Sequence, residues 1–186
     1  MRVISGLYGG RVLKSPSGLE IRPTSDRLRE TLFNILNLQP DVGLRFLDLC
    51  AGTGAMGIEA LSRGVQFVTF VDISRVACSL VKENLSKLNV PNSAFEVICA
   101  PAEEYLRFLQ KAAVTQDIVV FDPPYETDYS SVLNFIGKSD VNIIASNGIF
   151  IAEHRSKNQL SDEYELLRRT RILKQGETSL SFFERA

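Results

Sequence analysis

Apolar and polar positions change period along this chain, and the changes divide it into elements. From residue 44 onward, short unbroken apolar runs alternate with longer stretches of helical spacing. The runs Leu44–Leu49, Phe67–Val71, Phe95–Cys99, Ile118–Phe121 and Gly148–Ala152 predict strands buried on both faces, as in a parallel sheet. Helices are predicted near 55–63, 74–88, 101–112 and 129–138. A strand and helix together take about 25 residues, enough for right-handed crossovers in a doubly wound α/β sheet. The tail breaks this rhythm. Tyr164–Leu173 and Thr178–Glu184 are extended runs joined across Gly176, which predicts an antiparallel hairpin added to the sheet edge. Phe182 and Phe183 point to opposite faces of such a strand, so one ring is expected in the core.

The start of the chain follows a third pattern. Arg2–Ser5 and Arg11–Lys14 flank Gly9-Gly10, predicting a hairpin, and Pro23 closes that segment. Thr24, Ser25 and Asp26 then offer caps for a helix with an apolar stripe at Leu28, Leu32, Ile35 and Leu36.

Composition narrows the class. In 186 residues, 45% are hydrophobic and 23% charged, which fits one globular domain with a short appendage. Cys50, Cys78 and Cys99 are widely spaced and odd in number, so they are expected to be reduced and buried in a cytoplasmic protein. One histidine, His154, and no cysteine pair argue against a metal site. The first residues lack an apolar core of the secretory kind, and no apolar run is long enough for a membrane span. The net charge of −1 argues against a general nucleic-acid binder. Its distribution matters more. Residues 1–30 hold six basic side chains against three acidic, and residues 154–175 repeat that ratio, so two basic ends could face phosphates.

Two motifs carry candidate chemistry. The first predicted strand runs into Asp48-Leu49-Cys50-Ala51-Gly52-Thr53-Gly54-Ala55-Met56-Gly57. Glycines between a strand and a helix let the backbone turn sharply and approach a ligand closely. Asp72, at the end of the second strand, can accept hydrogen bonds from both ribose hydroxyls of an adenosine. Asp48 decides between cofactors. A carboxylate repels a dinucleotide's pyrophosphate but attracts the ammonium of a methionine, so the loop is of the S-adenosylmethionine type.

The second motif is Asp122-Pro123-Pro124-Tyr125 at the end of the fourth strand. Two prolines remove two amide donors and present a carbonyl beside the Asp122 carboxylate. Two acceptors can take both hydrogens of an exocyclic amine and aim its lone pair at a methyl donor, with Asp122 stabilising the charge that develops on nitrogen. Tyr125 offers a stacking face for an unstacked base. His154 has no visible nucleophile or metal partner and is read as structural, while Glu153 could face the site or cap a turn.

With these motifs placed, the chain resembles the ribosomal RNA small-subunit guanine-N2 methyltransferases, the RsmD family, over nearly its whole length. The specific part is the opening: Ile4-Ser5-Gly6 through Gly10-Arg11, then Arg22-Pro23-Thr24-Ser25-Asp26-Arg27-Leu28-Arg29-Glu30-Thr31-Leu32-Phe33-Asn34-Ile35-Leu36. Asp48–Gly54 and Gly57-Ile58-Glu59-Ala60-Leu61-Ser62-Arg63-Gly64 continue it. The resemblance implies a Rossmann-like, seven-stranded methyltransferase sheet over residues 41–186, with residues 1–40 as a hairpin-and-helix appendage. It implies S-adenosyl-L-methionine as cofactor and 16S ribosomal RNA, within the 30S subunit or an assembly intermediate, as partner. Asp48, Gly52 and Gly54 would line the methionine end of the cofactor, Asp72 the ribose, and Asp122, Pro123 and Tyr125 the target guanine. Arg22, Thr24 and Arg27 would border the entrance.

Three departures stand out. Pro101 replaces the family's Asn or Asp, leaving the Ala102 amide for the adenine ring. Gln175 replaces a tyrosine before Gly176, and Cys50 stands where a phenylalanine is common. Two other readings stay open on the residues alone: a DNA adenine-N6 or cytosine-N4 methyltransferase, and a non-catalytic cofactor-binding assembly factor.

Overall fold

The computed structural model describes residues 1–15, 26–38, 43–124 and 126–186. They form two compact units, Met1–Ala100 and Pro101–Ala186. The first holds α1 (Asp26–Leu36), β1 (Arg45–Leu49), α2 (Ala55–Ser62), β2 (Phe67–Asp72), α3 (Arg75–Lys87) and β3 (Phe95–Cys99). Its strands are parallel in the order β3-β2-β1. Alternating strand and helix forces this arrangement, because each helix must cross back over the sheet before the next strand begins.

β1 and β2 are buried almost throughout, as their unbroken apolar runs predict. β3 is not. Its residues alternate between half-buried and exposed, because it is the outermost strand of this order. Gly57 explains how closely α2 lies on β2. A methyl group there would come within 2.3 Å of the Phe70 ring and 2.7 Å of Val68, so only glycine permits this helix–sheet contact.

The predicted N-terminal hairpin forms around one antiparallel bridge, Arg2 to Val12, with the Val3, Gly10 and Leu13 N–H groups donating to the carbonyls of Arg11, Val3 and Met1 at 2.9, 2.9 and 3.1 Å. Side chains from the helices hold the rest of this arm in place. Glu59, fully buried on α2, accepts the backbone N–H groups of Ile4 at 2.7 Å and Ser5 at 3.1 Å. Arg63 lies 2.7 Å from the same carboxylate, and the buried Arg29 guanidinium lies 3.8 Å from it. Arg29 also donates to the Arg2 carbonyl at 2.5 Å and to Asp26 at 3.0 Å. The apolar stripe of α1 shifts accordingly: Leu28, Leu32 and Phe33 are buried with Arg29, while Ile35 and Leu36 are only half-buried.

The second unit holds α4 (Ala102–Ala112), β4 (Gln116–Phe121), α5 (Tyr129–Gly137), β5 (Ile144–Arg155), β6 (Glu163–Tyr164), β7 (Leu167–Gln175) and β8 (Thr178–Arg185). The order is β4-β5-β8-β7-β6, with β4 and β5 parallel and the remaining pairs antiparallel. The tail hairpin therefore lies against β5, as predicted. The described residues contain eight strands rather than the seven expected, because two-residue β6 pairs with the start of β7. Both Phe182 and Phe183 are buried, at 1% and 0% exposure, so this part of the sheet is covered on both faces. Phe183 meets Phe150 and Tyr164 edge-on. Arg185 closes the end of α5 by donating to the carbonyls of Ile136, Lys138, Ser139 and Val141.

His154 belongs to this core. It is 1% exposed, with Nε2 2.9 Å from the Ser181 hydroxyl and Nδ1 2.9 Å from the Arg155 carbonyl. Burial pushes its pKa down, outweighing the Arg155 carbonyl that raises it, and the Arg169 charge lowers it further. The unfolded chain thus holds this proton more tightly than the folded one. The stability from neutral His154 is present above the unfolded value of about 6.5 and is lost as pH falls below it. Melting temperature is expected to drop between pH 7 and pH 5, and His154→Gln should flatten that drop. An unchanged slope in the variant would remove the histidine from the account.

Candidate active site

The loop after β1 is shaped by left-handed backbone. Cys50, Gly52 and Gly54 have φ of 65°, 54° and 78°. For the glycines this conformation is free, but for Cys50 it costs roughly 1–2 kcal/mol, strain of the sort that concentrates at functional loops. Asp72 holds the loop from β2. Its Oδ2 accepts the Gly52 N–H at 2.8 Å, and its Oδ1 accepts the Ser74 N–H at 2.8 Å. The structure therefore brings together Asp72 and Gly52, predicted at the ribose and at the methionine end of one cofactor.

Asp48, expected beside the methionine end, lies at the end of β1. It is 1% exposed, and its Oδ2 accepts the Gly57 N–H at 2.9 Å, in the first turn of α2. Its visible work is to cap that helix and so aim the loop. At Gly52 a methyl group would meet nothing within 4 Å among the described residues, which leave this face of the loop open. Ile73, directly after Asp72, is 72% exposed, and Val76 one turn on is 68% exposed. An open glycine, a carboxylate at the strand end and a bare apolar face suit an adenosine: ribose on the carboxylate, purine on the isoleucine. Ile73 was missed in the sequence because it merely extends an apolar run.

In the second unit Ala102 opens α4. Pro101 stands at its N-cap without a side-chain hydrogen bond, and the first-turn N–H groups have no intrahelical partner. At the end of β4, Asp122 is half-buried and Pro123 buried. The two proline carbonyls are used differently. That of Pro124 accepts the Thr127 N–H at 2.9 Å and closes a turn, whereas among the described residues nothing donates to that of Pro123. The Pro123 carbonyl thus follows Asp122 directly in the chain and keeps its acceptor capacity among the described residues. Beyond it, Tyr129 donates its hydroxyl to the Glu153 carbonyl at 3.0 Å and packs edge-on to Phe121 and His154, fixing what lies behind the strand tip.

Arg27 is exposed on α1. Tyr125, Arg22 and Thr24 lie outside the described residues. Of the cysteines only Cys78 is buried. Its thiol is pushed up to about 11 by burial, while Cys99 is exposed at the open end of β3 and Cys50 is half-buried in the strained loop.

A model of the family described as "Conserved hypothetical protein 95" matches residues 1–184. The chain belongs to this family. Its members include proteins of the RsmD type, as the opening segment implied. Bacillus subtilis YlbH, provisionally named an rRNA methyltransferase, is 36% identical over 186 residues, covering 100% of this chain and 99% of that protein. Ribosomal RNA small subunit methyltransferase D of Escherichia coli is 34% identical over 148 residues, 80% of this chain and 68% of its own length. Among solved structures, Escherichia coli yhhF, provisionally named a methyltransferase, superposes with a TM-score of 0.82 at 28% identity, covering 100% of this chain and 97% of that one. The fold of this family member is thus the Rossmann-like methyltransferase fold, with one short strand more than the expected seven.

Proposed function

We propose that the chain transfers a methyl group from S-adenosyl-L-methionine to the exocyclic 2-amino group of a guanine in 16S ribosomal RNA, in the cytoplasm. The feature that supports amine methylation is Asp122-Pro123 at the end of β4, where the Pro123 carbonyl has no donor among the described residues; the choice of guanine follows the resemblance of the opening segment. The name of the Escherichia coli relative, a small-subunit ribosomal RNA methyltransferase, supports the choice of RNA.

When bound, the cofactor would supply an electrophilic sulfonium methyl group with a neutral thioether as leaving group. The chain's own residues do the rest. Asp72 would accept from the ribose hydroxyls with lone pairs left over from Gly52 and Ser74, and Ile73 would receive a face of the purine. The loop at Gly52 and Gly54 approaches the methionine end. Asp48 fixes the start of α2 and lends its buried negative charge to the ammonium side. Asp122 and the Pro123 carbonyl take one amine hydrogen each, which turns the nitrogen lone pair out of the ring and toward the methyl group. Asp122 then stabilises the positive nitrogen until a proton leaves. Tyr125, next in sequence, stacks on the extruded base, worth about 1–3 kcal/mol. The exposed cations Arg27, Arg155, Lys157, Arg168 and Arg171 contact phosphates.

Incubation with radiolabelled cofactor and, in turn, 30S particles, naked 16S ribosomal RNA and duplex DNA tests the choice of substrate. Label is expected in the ribosomal RNA, in one or both of its forms, with incorporation falling as salt rises. Label in the DNA alone would overturn the assignment, and binding without transfer to any of the three would leave a non-catalytic assembly factor.

A further inference from the structure

Residue 84 lies on the inward face of α3, three positions after Val81 and one before Leu85, both fully buried. Helical spacing calls for an apolar side chain there, yet the residue is asparagine, 0% exposed. A buried amide is costly unless its polar atoms are paired. Asn84 Oδ1 accepts the Lys14 N–H at 2.7 Å, and Nδ2 donates to the Lys14 carbonyl at 3.1 Å. The side chain thus pairs with Lys14 as a neighbouring strand would. Its remaining hydrogen goes to the Thr53 carbonyl at 3.0 Å.

Thr53 sits between Gly52 and Gly54, so its peptides are among the least sterically restrained in the loop. The peptide joining Thr53 to Gly54 is nevertheless held on both edges. Asn84 takes its carbonyl, and the Ala51 carbonyl accepts its N–H at 2.7 Å. The Thr53 hydroxyl in turn donates to the Met1 sulfur at 3.4 Å. The N-terminal arm therefore meets this loop at both of its ends, directly at Met1 and through Asn84 at Lys14.

We propose that Asn84 is a positioning residue that couples the seating of the arm, residues 1–14, to the shape of the cofactor loop. This rests on the reading of Gly52–Gly54 as the cofactor loop. A correctly held Thr53–Gly54 peptide presents the loop in its binding form, so anchoring the arm tightens the cofactor. By reciprocity, binding the cofactor tightens the arm.

The test uses the whole chain and S-adenosylhomocysteine as probe. Calorimetry is expected to give about tenfold weaker binding for Asn84→Ala, and at least as great a loss for Asn84→Asp, which turns an acceptor toward two carbonyls. In the unaltered protein, saturating probe should slow hydrogen exchange in residues 1–14, and in Asn84→Ala it should not. A purely structural asparagine would lower the melting temperature, leave the dissociation constant unchanged and leave the arm's exchange indifferent to the probe. Either of the last two results overturns the proposal. If the variants do not fold, the exchange comparison on the unaltered protein decides alone. An unaltered protein that binds no probe sinks the cofactor-loop reading together with this one, whereas tight binding unaffected by Asn84→Ala sinks this one only.

Discussion

Asp122→Ala is expected to lower turnover by about 10²- to 10³-fold, the usual cost of deleting one well-aimed electrostatic partner of a developing charge. S-adenosylhomocysteine should still bind within a few-fold of normal, because Gly52–Gly54, Asp72 and Ile73, which are proposed to hold it, all lie in the Met1–Ala100 unit. Asp122→Asn should fall between, since its amide oxygen still accepts one hydrogen but carries no charge. Single-turnover rates and calorimetric dissociation constants measure the two effects separately. Loss of cofactor binding with the chemical step intact would reverse the roles assigned to the two motifs.

The largest effect on stability is expected at Glu59. Its carboxylate is fully buried and receives two backbone N–H groups and Arg63, with Arg29 close by. Breaking a buried ionic network by removing one member typically costs about 3–5 kcal/mol, because charges and donors are left without partners. Glu59→Ala strands the Ile4 and Ser5 amides and leaves the buried Arg29 with Asp26 alone among its carboxylates. Melting should fall by roughly 10 °C for a chain of this size. Residues 1–14 should become the first site of proteolysis. Glu59→Gln, which keeps an acceptor, should cost less. A melting temperature within a degree or two of normal for Glu59→Ala would mean that the arm is held by its apolar contacts instead.

The strands and helices from β1 to α5 were legible because apolar runs and helical spacing report burial, and burial is what a parallel sheet with crossing helices demands. Where the pattern failed, burial had another cause. β3 looks as apolar as β1 but is an outer strand, and Phe182 and Phe183 are both enclosed because β8 is covered on two sides. The arm's glycines announce its hairpin, but helix side chains also satisfy part of its backbone, and no local pattern announces a partner more than fifty residues away. Asp72 and the glycine loop were legible because their spacing is set by one strand and one crossover. Asn84 and Ile73 were not, since one looks like a polar residue in a helix and the other like the end of a strand. Asn84 did leave a trace, a polar residue in the apolar register of α3.

The measurement closest to the central claim is the identity of the methylated nucleoside after digestion of modified 16S ribosomal RNA, read by mass spectrometry against standards. The acceptor roles proposed for Asp122 and the Pro123 carbonyl call for an exocyclic nitrogen bearing two hydrogens, and with guanine as the proposed base N2-methylguanosine is the expected product. Methylation at a ring nitrogen such as N7 of guanine, which carries no hydrogen for Asp122 or the Pro123 carbonyl to accept, would contradict the account.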